Sequence, residues 1–310
     1  MHACDRCKDL ARGVARIERV AGNQNAIEVL FLEMRALPDY PGPPGQTCLA
    51  FQSAIADMAG FSDEGVMGLQ KLVAINGRPA VGQNVHYLFN KATWVSGRTT
   101  AETSEAYLTL LSQVYGTGQP PTGLYRCVQS LGQPGIKGSW MTMDVSRNLF
   151  GGLANLEQFE EMTAAGKQGM DIVLKQVNNG ARWIEVKATA GAYDGVQALE
   201  HLEGLAQQSR NWDEFRMVIN YFGEGDATKQ AAKMKSQATD LLQRMLDKNP
   251  RSATLTAIID RVDTNLGKVG VGSWNGTALL NPAAGSSEEK AILEIQKLFF
   301  INHPIDIPVP

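Results

Sequence analysis

Gly169-Met170-Asp171-Ile172-Val173, a polar break at Asn178-Asn179-Gly180, and then Trp183-Ile184-Glu185-Val186-Lys187-Ala188-Thr189 form the stretch on which the reading of the fold turns. Its period-2 spacing predicts two adjacent strands joined by a hairpin. Alternation puts Ile184 and Val186 on one face of the second strand and Trp183, Glu185 and Lys187 on the other. The apolar pair is expected to point into the core, leaving the acid and the base together. Whether Asp171 joins them depends on register. A two-residue Asn179-Gly180 turn would set Asn178 opposite Ala181 and put Asp171 on the wrong face for Glu185. A three-residue Asn178-Asn179-Gly180 loop would instead pair Val177 with Ala181, so that Asp171 faces Lys187 and lies diagonal to Glu185. The three-residue loop, or an equivalent bulge, is therefore expected.

Working outward, a helix is expected over Leu153–Ala165, strands near Asp171–Val177 and Arg182–Ala188, a helix over Gly195–Gln208, a strand near Phe215–Phe222 and a long helix over Ala227–Asp247. Beyond these, Ala253–Val262 reads as a strand and Gly267–Gly276 as a glycine-rich hairpin or loop. Ser287–Phe300 reads as a closing helix capped by Ser286-Ser287-Glu288-Glu289. The first half differs. Leu37–Gly45 and Gly116–Gly123 are rich in Pro and Gly and read as loops or linkers. Cys48–Ala59, Glu64–Ile75 and Thr103–Tyr115 have helical apolar spacing, with Thr103-Ser104-Glu105 as a helix start. Residues 1–123 are expected to be a mainly helical N-terminal region for targeting, delivery or partner binding, and residues 124–310 the domain that carries the chemistry.

Two carboxylates lying diagonally across a strand pair are about 7 Å apart at the backbone, within reach of one shared divalent cation. Mg²⁺ or Mn²⁺ is the expected ion, with Asp171 and Glu185 as its ligands. Such an ion would bind a phosphodiester oxygen and lower the pKa of a bound water, while Lys187 orients that water or stabilises the transition state.

These residues resemble the PD-(D/E)xK nuclease superfamily, which includes many restriction endonucleases, repair nucleases and nuclease toxins. The resemblance rests on Gly-x-Asp-Ile-Val in one strand and Glu185-Val186-Lys187 in the next, and it covers roughly Leu149–Phe222. It implies an α/β fold with a restriction-endonuclease-like mixed sheet flanked by helices, Asp171 and Glu185 as metal ligands and Lys187 as the catalytic lysine. Gln197 stands where several branches of the superfamily carry a functional glutamine, whereas Tyr193, Asp194 and His201 beside it read as capping or surface groups. Met170 stands where a Pro often precedes the Asp. The family also places a strand between its first helix and the Asp-bearing strand, yet only Gly166-Lys167-Gln168 separates the expected Leu153–Ala165 helix from Gly169. Either that helix supplies a further acid from Glu157, Glu160 or Glu161, with Glu160 as the candidate, or the first helix is Thr103–Tyr115 with Glu105. In the second case Ser139–Val145 is the strand.

The 310 residues are 44% hydrophobic and 20% charged with a net charge of -3, a globular composition with no general attraction for polyphosphate. Nucleic-acid contact then needs a local basic patch. Lys229, Lys233, Arg244, Lys248 and Arg251 fall within an arc of about 100° on the long helix and could track a phosphate backbone. Trp183 and Trp212 could stack on bases or belong to the core. Four cysteines are too few for a disulfide scaffold, and Cys4-Asp5-Arg6-Cys7 has the spacing of half a zinc knuckle without a second pair. That cysteine usage sets a reducing compartment as the expectation, with a cytoplasmic site of action, and no apolar run approaches the roughly 20 residues of a membrane span. The expected partner is DNA. As an effector toxin the chain would be delivered into a target cell and neutralised by an immunity protein; as a restriction or defence endonuclease it would not. A non-catalytic binding module that keeps the fold is the alternative.

Overall fold

The computed structural model describes residues 2–21, 55–75, 98–129, 133–162, 169–189, 195–221, 225–248, 252–274 and 276–304, together with 52, 84, 88 and 89. The Leu37–Gly45 stretch, half of Cys48–Ala59, Tyr193, Asp194 and Arg251 lie outside the described residues. The chain divides into two compact units, Met1–Glu160 with Ile305–Pro310, and Glu161–Pro304. The architecture is mixed α/β, with helices before and around an open sheet of mixed strand direction. No helix among the described residues is long and apolar enough to cross a membrane.

In the first unit, α1 spans His2–Ala21, α2 Asp63–Ile75, α3 Thr100–Tyr115, α4 Leu124–Val128 and α5 Gln133–Asn148, followed by strand β1 at Leu156–Phe159. α3 begins earlier than its Thr103-Ser104-Glu105 signal suggests. Thr99 is its cap, exchanging bonds with Glu102 in a capping box, and Thr103 and Ser104 are buried inside the helix. Glu105 instead accepts the Ser62 N–H at 2.7 Å. Gly116–Gly123 is a loop, as its composition requires.

Two expectations here are corrected. Ser139–Val145 is not a strand but the middle of α5, buried at every position, where tertiary packing overrides its β-branched content. The expected Leu153–Ala165 helix is not found over its described residues, 153–162. A short 3-10 turn at Gly152–Asn155 leads into β1, which buries Leu156 and Phe159 and gives the Phe159 N–H to the Thr122 carbonyl. A strand thus stands between a helix and the Asp171-bearing strand after all, at a place where helical spacing concealed it.

In the second unit, β2 (Ile172–Asn178), β3 (Ala181–Thr189), β4 (Phe215–Tyr221) and β5 (Phe300–Asn302) lie side by side in that order. β2 and β3 are antiparallel, whereas β3, β4 and β5 are parallel. Flanked on both sides, β4 is buried on both faces, which is why Phe-Arg-Met-Val-Ile-Asn-Tyr reads as a nearly unbroken apolar run. Helices α6 (Val196–Gln207), α7 (Ala227–Lys248), α8 (Ala253–Asn265) and α9 (Ser287–Phe299) join the sheet in one core. That core takes Val173, Trp183, Met217, Ile219 and Tyr221 from the sheet and Leu202, Leu242, Ile259 and Ile295 from the helices. α9 is capped as expected, the Ser286 hydroxyl accepting the Glu289 N–H.

Ala253–Val262 is helical, correcting the strand reading. Ser252 caps it, and the buried residues Leu255, Ile258, Ile259 and Val262 recur at helical spacing. Gly267–Gly276 contains a 3-10 turn at Val271–Ser273 and, among the described residues, no strand.

The hairpin is built differently from the favoured expectation. Asn178 pairs with Ala181, so the turn has two residues, Asn179 and Gly180, both with positive φ (48° and 71°). That is the turn geometry matched to strand twist. Face parity is restored further along. Val173 pairs with Trp183 and Ile172 with Ile184, which leaves four residues of β2 opposite one of β3. The three extra residues, an odd number, flip every side chain upstream of them to the other face. The equivalent bulge therefore takes the place of the three-residue loop. One further step in this register sets Asp171 level with Glu185 rather than diagonal to it.

Candidate active site

Asp171 and Glu185 are both buried, at 6% and 2% exposure. The sheet face that carries them is not the open surface the alternation suggests. It also carries Trp183, which belongs to the core, and the opposite face buries Ile184 and Val186 as well. Asp171 Oδ2 accepts the Val186 N–H at 2.8 Å, tying the end of β2 to β3 beside Glu185. The segment leading into Asp171 is fixed too, because Glu161 gives its N–H to the Met170 carbonyl and accepts the Gly169 N–H.

Around Glu185 three side chains converge. Lys187, two residues along the same strand and so on the same face, forms an ion pair with Oε1. Gln197 of α6 donates to Oε1 at 2.6 Å. His201, one turn further along α6, places Nε2 3.1 Å from Oε2 and 3.4 Å from the Gln197 nitrogen. Lys187 and Gln197 thus meet Oε1, and Oε2 faces the His201 ring. Burial alone would push the Glu185 carboxyl up; the adjacent His201 ring and the Lys187 charge outweigh it and hold the carboxyl below its ordinary value.

The sequence reading of His201 as a surface or capping group is therefore corrected. Its side chain is only 14% exposed and its ring lies 5.8 Å from that of Phe215. The available signal was spacing: Gln197 and His201 are four residues apart, which puts both on one stripe of a helix.

The further acids fall elsewhere. Glu160 belongs to the first unit, where its carbonyl accepts from Arg126 Nε at 2.9 Å and its φ is 45°. Glu161 forms a two-bond pair with Arg210 at 2.8 and 2.9 Å, and that guanidinium lies 4.2 Å over the Trp183 ring. Among the described residues no group of three or more His, Cys, Asp and Glu is placed to hold a metal.

The basic stripe on α7 is partly neutralised. Arg244 pairs with Asp240 at 2.8 Å and Lys248 with Glu203 at 3.1 Å, while Lys233 lies 5.6 Å over the Tyr221 ring and Lys229 is exposed. Trp212 packs 6.2 Å from Phe299, and Trp183 is in the core, so both tryptophans are structural here. Cys4 and Cys7 fall within α1, and their side chains lie outside the described residues. Comparison with protein-family models, with curated proteins and with solved structures finds no match.

Proposed function

We propose that the chain is a metal-dependent nuclease of the PD-(D/E)xK kind, with a restriction-endonuclease-like fold, hydrolysing phosphodiester bonds of DNA at Asp171, Glu185 and Lys187. The observation that carries this reading is the buried Glu185, set between Lys187, Gln197 and His201, with the buried Asp171 just before β2 tied to the Val186 N–H beside it. Burying such charges costs several kcal/mol per ion, and perturbed ionisable groups gather at functional sites. The order of elements supports it as well. α5, β1, β2, β3, α6 and β4 follow one another along the chain, supplying the strand that the family places before the Asp-bearing one.

The donor set fits a hard divalent cation. Mg²⁺ is held by one or two carboxylates, with water and substrate phosphate completing its shell, and Asp171 with Oε2 of Glu185, the oxygen that neither Lys187 nor Gln197 engages, would offer that kind of pair. When bound, Mg²⁺ or Mn²⁺ would supply charge neutralisation at the phosphate and a more acidic water. The chain's own groups do the rest. Gln197 and Lys187 hold Glu185 by Oε1, fixing the rotamer that presents Oε2. Lys187, still 19% exposed, can turn its ammonium toward an attacking water or a non-bridging phosphate oxygen and stabilise the charge that develops there. His201 keeps a second polarisable donor beside Oε2.

The net charge of -3 and the paired Arg244 and Lys248 favour a second reading, a module that keeps the fold and binds without hydrolysis. Incubating supercoiled plasmid with the protein in Mg²⁺, in Mn²⁺ and in chelator separates the two. Metal-dependent nicking supports the nuclease, and intact plasmid under every condition supports the binding module. Toxicity on cytoplasmic expression, relieved by Asp171→Ala, would assign the activity to an effector with an immunity partner rather than to a defence enzyme.

A further inference from the structure

We infer that Asp240 is a positioning residue for this site: reaching from α7, its carboxylate caps the start of α6 and sets where Gln197 and His201 meet Glu185. The inference rests on the proposed nuclease reading for its activity arm alone. The first N–H groups of a helix have no partner inside it and need an acceptor from elsewhere. α6 begins at Gly195, whose position offers no side-chain cap of its own. Asp240 Oδ2 fills that role from another helix, accepting the Gly195 N–H at 2.5 Å, and Arg244 Nε steadies the same oxygen at 2.8 Å. A negative charge at that helix end is also favoured by the helix dipole.

Close packing makes the cap specific. A Cβ on Gly195 would stand 2.6 Å from the backbone nitrogen of Leu241 and 2.7 Å from its Cα, so α7 touches the start of α6 directly beside Asp240. Gln197 follows two residues later and His201 six, on one stripe of the same rigid helix. A shift at Gly195 is therefore passed to both contacts with Glu185. At the far end of α6, Glu203 pairs with Lys248 at 3.1 Å, but that lysine is half exposed and the pair lies beyond the site residues.

The test uses the full chain and the side-chain amide signals of ¹⁵N-labelled Gln197, assigned by their loss in Gln197→Ala, without metal or nucleic acid. Asp240→Ala is expected to shift or broaden these signals and Asp240→Asn, which keeps an acceptor, to restore them. Lys248→Ala should leave them in place. In plasmid cleavage, Asp240→Ala is expected to lower kcat at least tenfold with KM changed less than twofold, since misplacing catalytic groups by about 1 Å can cost about 10²-fold. Unmoved Gln197 signals in a folded Asp240→Ala protein would overturn the inference. If that variant does not fold, Asp240→Glu, which offsets the carboxylate by one methylene, takes its place with the same criterion. Moved signals without cleavage by the wild type would support the positioning role and sink the nuclease reading alone.

Discussion

Glu185 is the residue whose surroundings ask most for an explanation. A carboxylate at 2% exposure is tolerable because Lys187, Gln197 and His201 surround it, and each of those neighbours is in turn placed by it. Glu185→Gln removes the negative charge and leaves the lysine and the histidine against a neutral amide. Its expected cost is about 1–3 kcal/mol at pH 7 in urea denaturation, below the full penalty of breaking a buried pair because Lys187 can still reach solvent. The pH dependence has a definite sign. The folded carboxyl is held below its ordinary value of 4.5, so its contribution is complete above that pH and is lost as pH falls toward the depressed folded value. The stability gap between wild type and Glu185→Gln should therefore shrink in urea titrations taken below about pH 4.5. A gap that widens on acidification would show that the carboxyl is instead destabilised by its burial.

The elements show why some of this was legible and some was not. The alternation in Trp183–Thr189 predicted β3 and put Glu185 and Lys187 on one face, because strand geometry alone fixes that relation. It did not disclose that both faces are covered, since the covering helix comes from elsewhere in the chain. The two-residue turn was readable in Asn179-Gly180, but the bulge that rescues the register lies in Leu174–Val177, whose sequence carries no glycine or other local mark. Ala253–Asn265 and Ser139–Val145 were misread because Ile, Val and Thr favour strands only when packing does not decide. In Ala253–Asn265 the buried positions recur at helical spacing, whereas Ser139–Val145 is buried at every position and carries no period of its own. The turn yields a direct prediction. Gly180 has φ 71°, and a Cβ there would meet Arg216 Nη2 at 2.6 Å, so Gly180→Ala should cost about 1–2 kcal/mol in urea. An unchanged midpoint would mean that the turn relaxes freely. On α7, Lys229 is exposed whereas Arg244 and Lys248 are engaged in ion pairs. If the stripe meets DNA, Lys229→Ala should reduce the slope of log affinity against log salt by about 0.9. An identical slope would remove Lys229 from the interface.

At the scale of the whole molecule, the second unit holds a hydrophobic core of its own, drawn entirely from Met170 to Phe300. Glu185 and Lys187 stand on β3, Asp171 stands just before β2, and a single helix supplies Gln197 and His201. A net charge of -3 gives no long-range pull on a polyanion, so on the proposed reading productive binding would come from local contacts and from a cation held by Asp171 and Glu185. That dependence makes the most direct test a comparison of plasmid cleavage rates in Mg²⁺ or Mn²⁺ for wild type, Asp171→Asn, Glu185→Gln and Lys187→Met, each shown to be folded. The account predicts metal-dependent cleavage by the wild type and a loss of about 10²-fold or more in every variant. Equal rates in all four proteins, or a folded wild type that leaves the plasmid intact with either metal, would contradict it.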